Sequence, residues 1–296
     1  MNLAERLGYS KDDRVLLLHA DDVGSSHAAN VASFECLDHG SLTTASILVP
    51  AAWFPGVASY ARAHSEADFG IHLTLNCEYS AYRWRPVTER SVAPGLYDAE
   101  GYLWRTTDES VQHVSAEEGA LEQRAQIERA LAAGIDVTHL DTHMGTVFQP
   151  KFIESFVSLG IEHKIPLFIY RPNPERMKRQ GFGALWEGIE RQLRRLDETG
   201  FPVLDSVVTQ TGRTLETKRA YFMEIFERLR PGVTHFLVHP AKLSEETLAL
   251  GADAPLRNLD YEIFRDRSMA EELDRLGVKT ITYREIRDAY RSGKLR

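Results

Sequence analysis

The sequence predicts an α/β fold: parallel strands alternating with helices and curling into a distorted, TIM-like (β/α) barrel. Three observations carry this. Short runs rich in aliphatic and β-branched residues alternate with stretches of 3.6-residue periodicity, the pattern of βαβ units. Eight such runs occur, the number an eight-stranded barrel needs. Polar residues gather at the C-terminal ends of several runs, where barrel enzymes carry their chemistry. A doubly wound open sheet is the architecture that the same alternation leaves as an alternative.

The strand candidates are residues 14–19 (RVLLLH), 43–49 (TTASILV), 69–75 (FGIHLTL), 136–141 (DVTHLD), 166–170 (PLFIY), 203–208 (VLDSVV), 233–239 (VTHFLVH) and 278–283 (VKTITY). Residues 119–133 read as a helix with Leu121, Ala125, Ile127 and Leu131 in phase, and 215–229 as another. Three connections are long: 76–118, 171–183 and 240–267. Each follows a strand and is expected at the C-terminal face, where long loops are commonly functional. The first is read as an insertion at about 77–118 in a single domain spanning 1–296. Its aromatic residues, Tyr79, Tyr82, Trp84, Tyr97, Tyr102 and Trp104, either stack on a ligand or pack the loop on the barrel.

Composition excludes several classes. The chain has 296 residues and a net charge of −8, against the basic balance of a nucleic-acid binder. Two cysteines, Cys36 and Cys77, are too few for a disulfide scaffold and form no CxxC pair. The N-terminal segment MNLAERLGYSKDDR has no apolar signal-peptide core, and no run of about 20 apolar residues occurs. These features predict a soluble cytoplasmic protein with no membrane or nucleic-acid partner, and leave a homo-oligomer open. No GxGxxG and no GxxxxGK[ST] occurs, so a nucleotide cofactor has no motif support.

The candidate chemistry lies at the strand ends. The first strand ends in His19, Asp21 and Asp22; the third carries His72; the fourth carries His139, Asp141 and His143. The fifth runs into Arg171 and the seventh ends in His239. Two adjacent carboxylates with two or three histidines suit one divalent metal, and catalytic zinc takes three such ligands and leaves a place for water. Asp21-Asp22 alone would serve equally well as a turn or helix cap. His139, Asp141 and His143 share one face, since they alternate with period two. Asp141 is placed to orient a ligand histidine. His239, on another strand, can protonate a leaving group, and Arg171 can hold a polar substrate group or pair with a carboxylate.

At these residues the sequence resembles the YdjC-like carbohydrate deacetylases, among which the chitooligosaccharide deacetylases are the best defined. HADDVGSSHAAN resembles their first motif, GIHLTLN the second, THLDTH the third, YRPNPE the fourth and LVHP the late histidine motif. The resemblance runs from about Val15 to Tyr283 and implies a distorted α/β barrel with one divalent metal. It implies Asp22, His72 and His143 as ligands, Asp21 as general base, His239 as acid, and Arg171 as a substrate contact. Trp84 and Asp141 are further candidate substrate contacts. The implied reaction is hydrolysis of an N-acetyl group from an acetylated amino sugar. Zinc is the favoured ion, with magnesium, manganese, cobalt and nickel compatible. Two positions depart from the family pattern: Gly145 stands where many members have a histidine, and His19 where an asparagine is usual. Two other expectations compete. One is a metal hydrolase of another amide, an ester or a phosphate, for which Arg83, Arg85, Arg105 and Arg171 supply cationic groups. The other is a non-catalytic carbohydrate-binding or regulatory protein on the same fold.

Overall fold

The structure is a computed structural model that describes residues 1–172, 175, 183–209 and 217–295. Its strands are β1 (Arg14–Val23), β2 (Thr44–Ile47), β3 (Phe69–Leu73), β4 (Val137–Thr142), β5 (Ser206–Thr209), β6 (Gly232–Val238) and β7 (Val278–Thr280). All pairings are parallel, in the order β4-β3-β2-β1-β6-β5, with β7 on β1. The sheet curls into a distorted TIM-like barrel. β1 is its hub: β6 runs along one edge, from Arg14 to Ala20. The other edge takes β7 at Arg14–Leu16 and β2 from His19 onward.

The fifth expected strand, 166–170, is corrected to two isolated parallel bridges, Leu140↔Leu167 and Tyr170↔Leu204. Pro166 has no N–H to give a ladder, so this segment touches β4 and the approach to β5 at single points.

The helices are α1 (Leu3–Arg6), α2 (His27–Asp38), α3 (Phe54–Ala63), α4 (Thr107–His113), α5 (Ala116–Ala132) and α6 (Ile153–His163). After them come α7 (Gly183–Glu198), α8 (Lys218–Glu227), α9 (Glu245–Leu250), α10 (Ala254–Phe264), α11 (Ser268–Arg275) and α12 (Tyr283–Arg291). Alternation along the strands divides the core. On β1, Leu16, Leu18 and Ala20 join the large outer cluster with the helices, while Val15 and Leu17 join an inner cluster with Val233, Leu237 and Phe168. His19 and Asp21 continue that inner row toward the barrel's C-terminal mouth.

The phase expected for α5 is corrected. Leu121 and Leu131 are exposed, and the buried face carries Glu122, Gln123, Gln126, Ile127 and Ala130. Two of those polar groups are consumed by backbone. Glu122 accepts the N–H groups of Val87 and Thr88 at 2.9 and 2.8 Å, and Gln126 both accepts from and donates to the Thr74 main chain. The helix thereby ties the 77–118 loop to the barrel. That loop has a small core of its own, in which Cys77, Trp84 and Leu103 pack on Leu48 and Ala51. Among the described residues no helix is long and apolar enough to cross a membrane, and both cysteines are buried and free.

Candidate metal centre

Neighbouring residues on a strand face opposite ways, yet Asp21 and Asp22 both line the cavity at the barrel mouth. The β1–β2 pairing slips between Ala20 and Val23. Within the slip Asp22 has φ 65°, a left-handed conformation that Asp tolerates better than most residues. The irregularity turns Asp22 back toward the side that Asp21 occupies, the effect expected of a bulge.

Asp22 Oδ1 lies 3.4 Å from His72 Nε2 and 3.3 Å from His143 Nδ1. All three residues are 3% exposed, and Asp22 Oδ1 is buried without a hydrogen-bond partner. Asp22 Oδ2 is taken by Arg257 Nη1 at 2.7 Å. The far nitrogen of each imidazole meets a carboxylate: His72 Nδ1 is 2.8 Å from Asp141 Oδ1, and His143 Nε2 is 2.8 Å from Glu78 Oε2. Such pairing fixes ring orientation and tautomer in metal-binding histidines. Two imidazole nitrogens and one unpartnered carboxylate oxygen thus converge, their ligand atoms within 4.8 Å of one another. This donor set fits a divalent ion of the zinc type.

The charges agree. Burial alone would raise the Asp22 carboxyl, but the Arg257 guanidinium and the His143 and His72 rings outweigh it and hold it well below the usual range. Burial would lower His143, but Asp22 and Glu78 raise it to about 9. His72 is likewise raised well above its ordinary value, Asp141 and Asp21 overcoming burial.

Beside this cluster, Asp21 Oδ2 faces His239 Nε2 at 3.5 Å. The pairing Ala20↔Val238 brings the two residues to one level. His239 is the more open partner, its side chain 32% exposed. Its backbone N–H donates to Asp260 Oδ2 at 3.2 Å, and Asp260 Oδ1 pairs with the buried Lys218 at 2.6 Å. Beneath them His19 Nε2 lies 3.0 Å from Asp21 Oδ1 and 3.1 Å from Asp141 Oδ2. Burial would lower His19; the two carboxylates raise it to about 9.

The structure brings Asp21, Asp22, His72, His143 and His239 together. Asp141 stands behind His72 and His19 with both oxygens engaged. Two expected substrate contacts stand elsewhere. Arg171 is exposed and ion-paired with Asp197 on the end of α7. Trp84 is 2% exposed, buried under the loop with its ring 5.7 Å from that of His143. Its apolar surface is better buried in the loop core than left at the mouth. Asn173 and Pro174 of the YRPNPE segment lie outside the described residues. Sequence reasoning missed Glu78, Arg257 and Ser46. Ser46 Oγ lies 3.0 Å from His19 Nε2 and 3.1 Å from His72 Nδ1, and its signal was available: it sits on a strand whose neighbours carry the site. Glu78 and Arg257 come from irregular chain and a distant helix, where no period marks an inward side.

Comparison with known proteins identifies the family. A profile of the YdjC-like protein family matches residues 15–275, a span that contains every residue of the cluster. A carbohydrate deacetylase of Thermus thermophilus is 32% identical over 289 residues, covering 98% of this chain and 99% of that one. A carbohydrate deacetylase of Brevibacillus brevis is 26% identical over 272 residues, covering 92% and 99%. The crystal structure of a candidate cellobiose-phosphate cleavage protein from Enterococcus faecalis has the same fold, with a TM-score of 0.75 at 21% identity, covering 92% of this chain and 98% of that one. Across nearly its whole length, this chain belongs to the YdjC-like protein family.

Proposed function

We propose that this protein is a metal-dependent deacetylase that hydrolyses the N-acetyl amide of an amino sugar or short oligosaccharide. One observation carries the hydrolytic reading: the unpartnered, buried Asp22 Oδ1, faced by His72 and His143 and set beside the Asp21–His239 pair. The relatives named carbohydrate deacetylases support the substrate class. Asp22, His72 and His143 would hold the ion, with zinc favoured. When bound, a divalent ion supplies Lewis acidity that polarises the amide carbonyl and acidifies water. Asp21 Oδ2 takes the proton of the attacking water, and His239 Nε2 delivers a proton to the amine as the C–N bond breaks. His19 Nε2 lies 3.0 Å from the other Asp21 oxygen, leaving Oδ2 toward the mouth.

Hydrolysis of a phosphate finds less support, because the loop arginines are already committed. Arg83 binds Asp98 and the Leu103 carbonyl, Arg85 lies over the Tyr102 ring, Arg105 donates to the Glu78 carbonyl at 3.4 Å, and Arg171 pairs with Asp197.

The test is metal content and acetate release, measured together on wild type and the His72→Ala/His143→Ala variant. About one divalent ion per chain and acetate release in wild type, with both lost in the variant, is the expected result. A wild type that takes up no ion after incubation with zinc, nickel, cobalt or manganese would overturn the reading and favour a binding protein.

A further inference from the structure

The cavity at the barrel mouth has a volume of about 400 Å³, and its two flanks differ in chemistry. One flank carries Asp21, Asp22, His72, His143, His239 and Arg257. The other is mostly apolar, formed by Phe148, Phe168, Val207 and Leu237 with Ile189 from α7, although Tyr170, Thr209 and His235 also belong to the lining. The apolar flank reaches deeper than the charged one. Leu237 precedes His239 by two residues on the inward row of β6, and Val207 pairs with His235, two residues lower still. At about 3.3 Å per residue, Val207 lies roughly 13 Å along the strand below His239. At that end the His235 ring is fixed by the Tyr283 hydroxyl at 2.9 Å and by Phe168 with ring centroids 4.6 Å apart. Leu17 and Val233 belong to the same inner cluster as Leu237 and Phe168.

A sugar needs hydrogen-bond partners around its rim, and Phe168, Val207 and Leu237 offer none. The polar part of a substrate therefore belongs at the mouth, between Asp21, His239 and Arg257. With the amide carbonyl at the charged flank and the amine toward His239, whatever extends past the acyl carbon enters the apolar end. An acetyl group places one methyl there and leaves most of the cavity unfilled.

We infer that the preferred substrate carries an N-acyl group of several methylenes, so that the protein is a de-N-acylase of medium-chain N-acyl amino sugars. This rests on the hydrolytic reading above and exchanges its acetyl group for a longer acyl chain on the same amide. The step is a hydrolysis. The water oxygen bonds to the acyl carbon, the C–N bond breaks, and protons from water and His239 reach the nitrogen. The products are a fatty carboxylate and an amino sugar.

The first measurement is binding of acetate, butyrate and hexanoate to the zinc-loaded full chain by calorimetry, which does not depend on turnover. Each added methylene is expected to tighten binding about fourfold, the change that burying one CH₂ produces. Equal affinity for all three carboxylates would overturn the proposal. The second measurement is kcat/KM on N-acetyl-, N-butyryl- and N-hexanoyl-glucosamine, with the hexyl glycoside of N-acetylglucosamine alongside. A rise with acyl length is expected. A preference for the hexyl glycoside without one for the hexanoyl amide would put the apolar arm on the sugar and overturn the assignment. Carboxylates that bind progressively tighter while no amide is hydrolysed would instead sink the hydrolytic reading. Val207→Trp, which fills the apolar end, should flatten the dependence of carboxylate affinity on chain length. A dependence that survives in this variant at wild-type zinc content would place the chain elsewhere.

Discussion

The carboxylates behind the two imidazoles differ in burial, and that difference ranks the cost of removing them. Losing a carboxylate behind a metal-binding histidine weakens metal affinity by about 10–100-fold, about 1.4–2.7 kcal/mol. The Glu78 side chain is 30% exposed, so in Glu78→Ala water can reach His143 Nε2 and take over the hydrogen bond. The expected loss is at the low end, about tenfold. The Asp141 side chain is 3% exposed and serves two rings, His72 at 2.8 Å and His19 at 3.1 Å. Asp141→Asn keeps the shape but removes the charge and presents an N–H₂ group to one ring. The expected loss is at the high end, about 100-fold. A second cost follows, because each buried donor left without an acceptor destabilises the fold by about 1–3 kcal/mol. Competition for zinc against a chelator of known affinity, on wild type and both variants, gives the affinities, and urea melts of the metal-free proteins give the stabilities. A Glu78→Ala affinity within twofold of wild type would refute the role given to Glu78. A greater loss in Glu78→Ala than in Asp141→Asn would refute the ranking by burial.

Other outcomes follow from the same geometry. Asp21→Asn should keep its metal and lose about 10²–10⁴-fold in turnover; loss of the metal too would mean that Asp21, not only Asp22, holds it. His239→Ala should lose a comparable factor in kcat, and a rate within a few-fold of wild type would remove it as the proton donor. Gly70→Ala should lower the Tm by several degrees, since an added Cβ would lie 2.4 Å from the His139 ring. Overpacking of this kind costs about 1–3 kcal/mol. The ring has no room to retreat, being stacked on Tyr283 with centroids 3.9 Å apart; an unchanged Tm would show that it moves freely. At Asp136, burial would raise the carboxyl, but Arg287 and then Arg284 hold it below its ordinary value. A depressed folded-state pKa stabilises above the unfolded value, near pH 4, and that contribution is lost as pH falls through the folded one. Asp136→Asn should therefore be less stable than wild type in urea at pH 7 and converge with it well below pH 4. A gap that persists at pH 2 would assign the effect to packing rather than charge.

Much of the fold was legible because buried parallel strands are continuous apolar runs, as RVLLLH and VTHFLVH are. The residues that meet at the cluster were legible for a related reason, since polar side chains at the ends of such runs have few uses but chemistry. PLFIY misled because apolar content does not reveal whether a neighbouring strand offers a matching ladder. The phase of α5 misled because Leu121 and Leu131 face solvent while Glu122 and Gln126 are buried on main-chain groups of other segments, partners that a helical period cannot register. Arg257 reaches Asp22 across 235 residues of sequence, and only the folded chain brings them together.

The pairing of β1 also sets the order in which a growing chain can become functional. Its partners β6 and β7 begin at Gly232 and Val278, some two hundred residues downstream. At about 5–20 residues per second, synthesis leaves the apolar β1 edge waiting roughly 10–40 s for them. Asp21 can meet His239 only after that wait. The nascent chain therefore carries its two carboxylates, uncompleted, on an open strand edge for most of its synthesis.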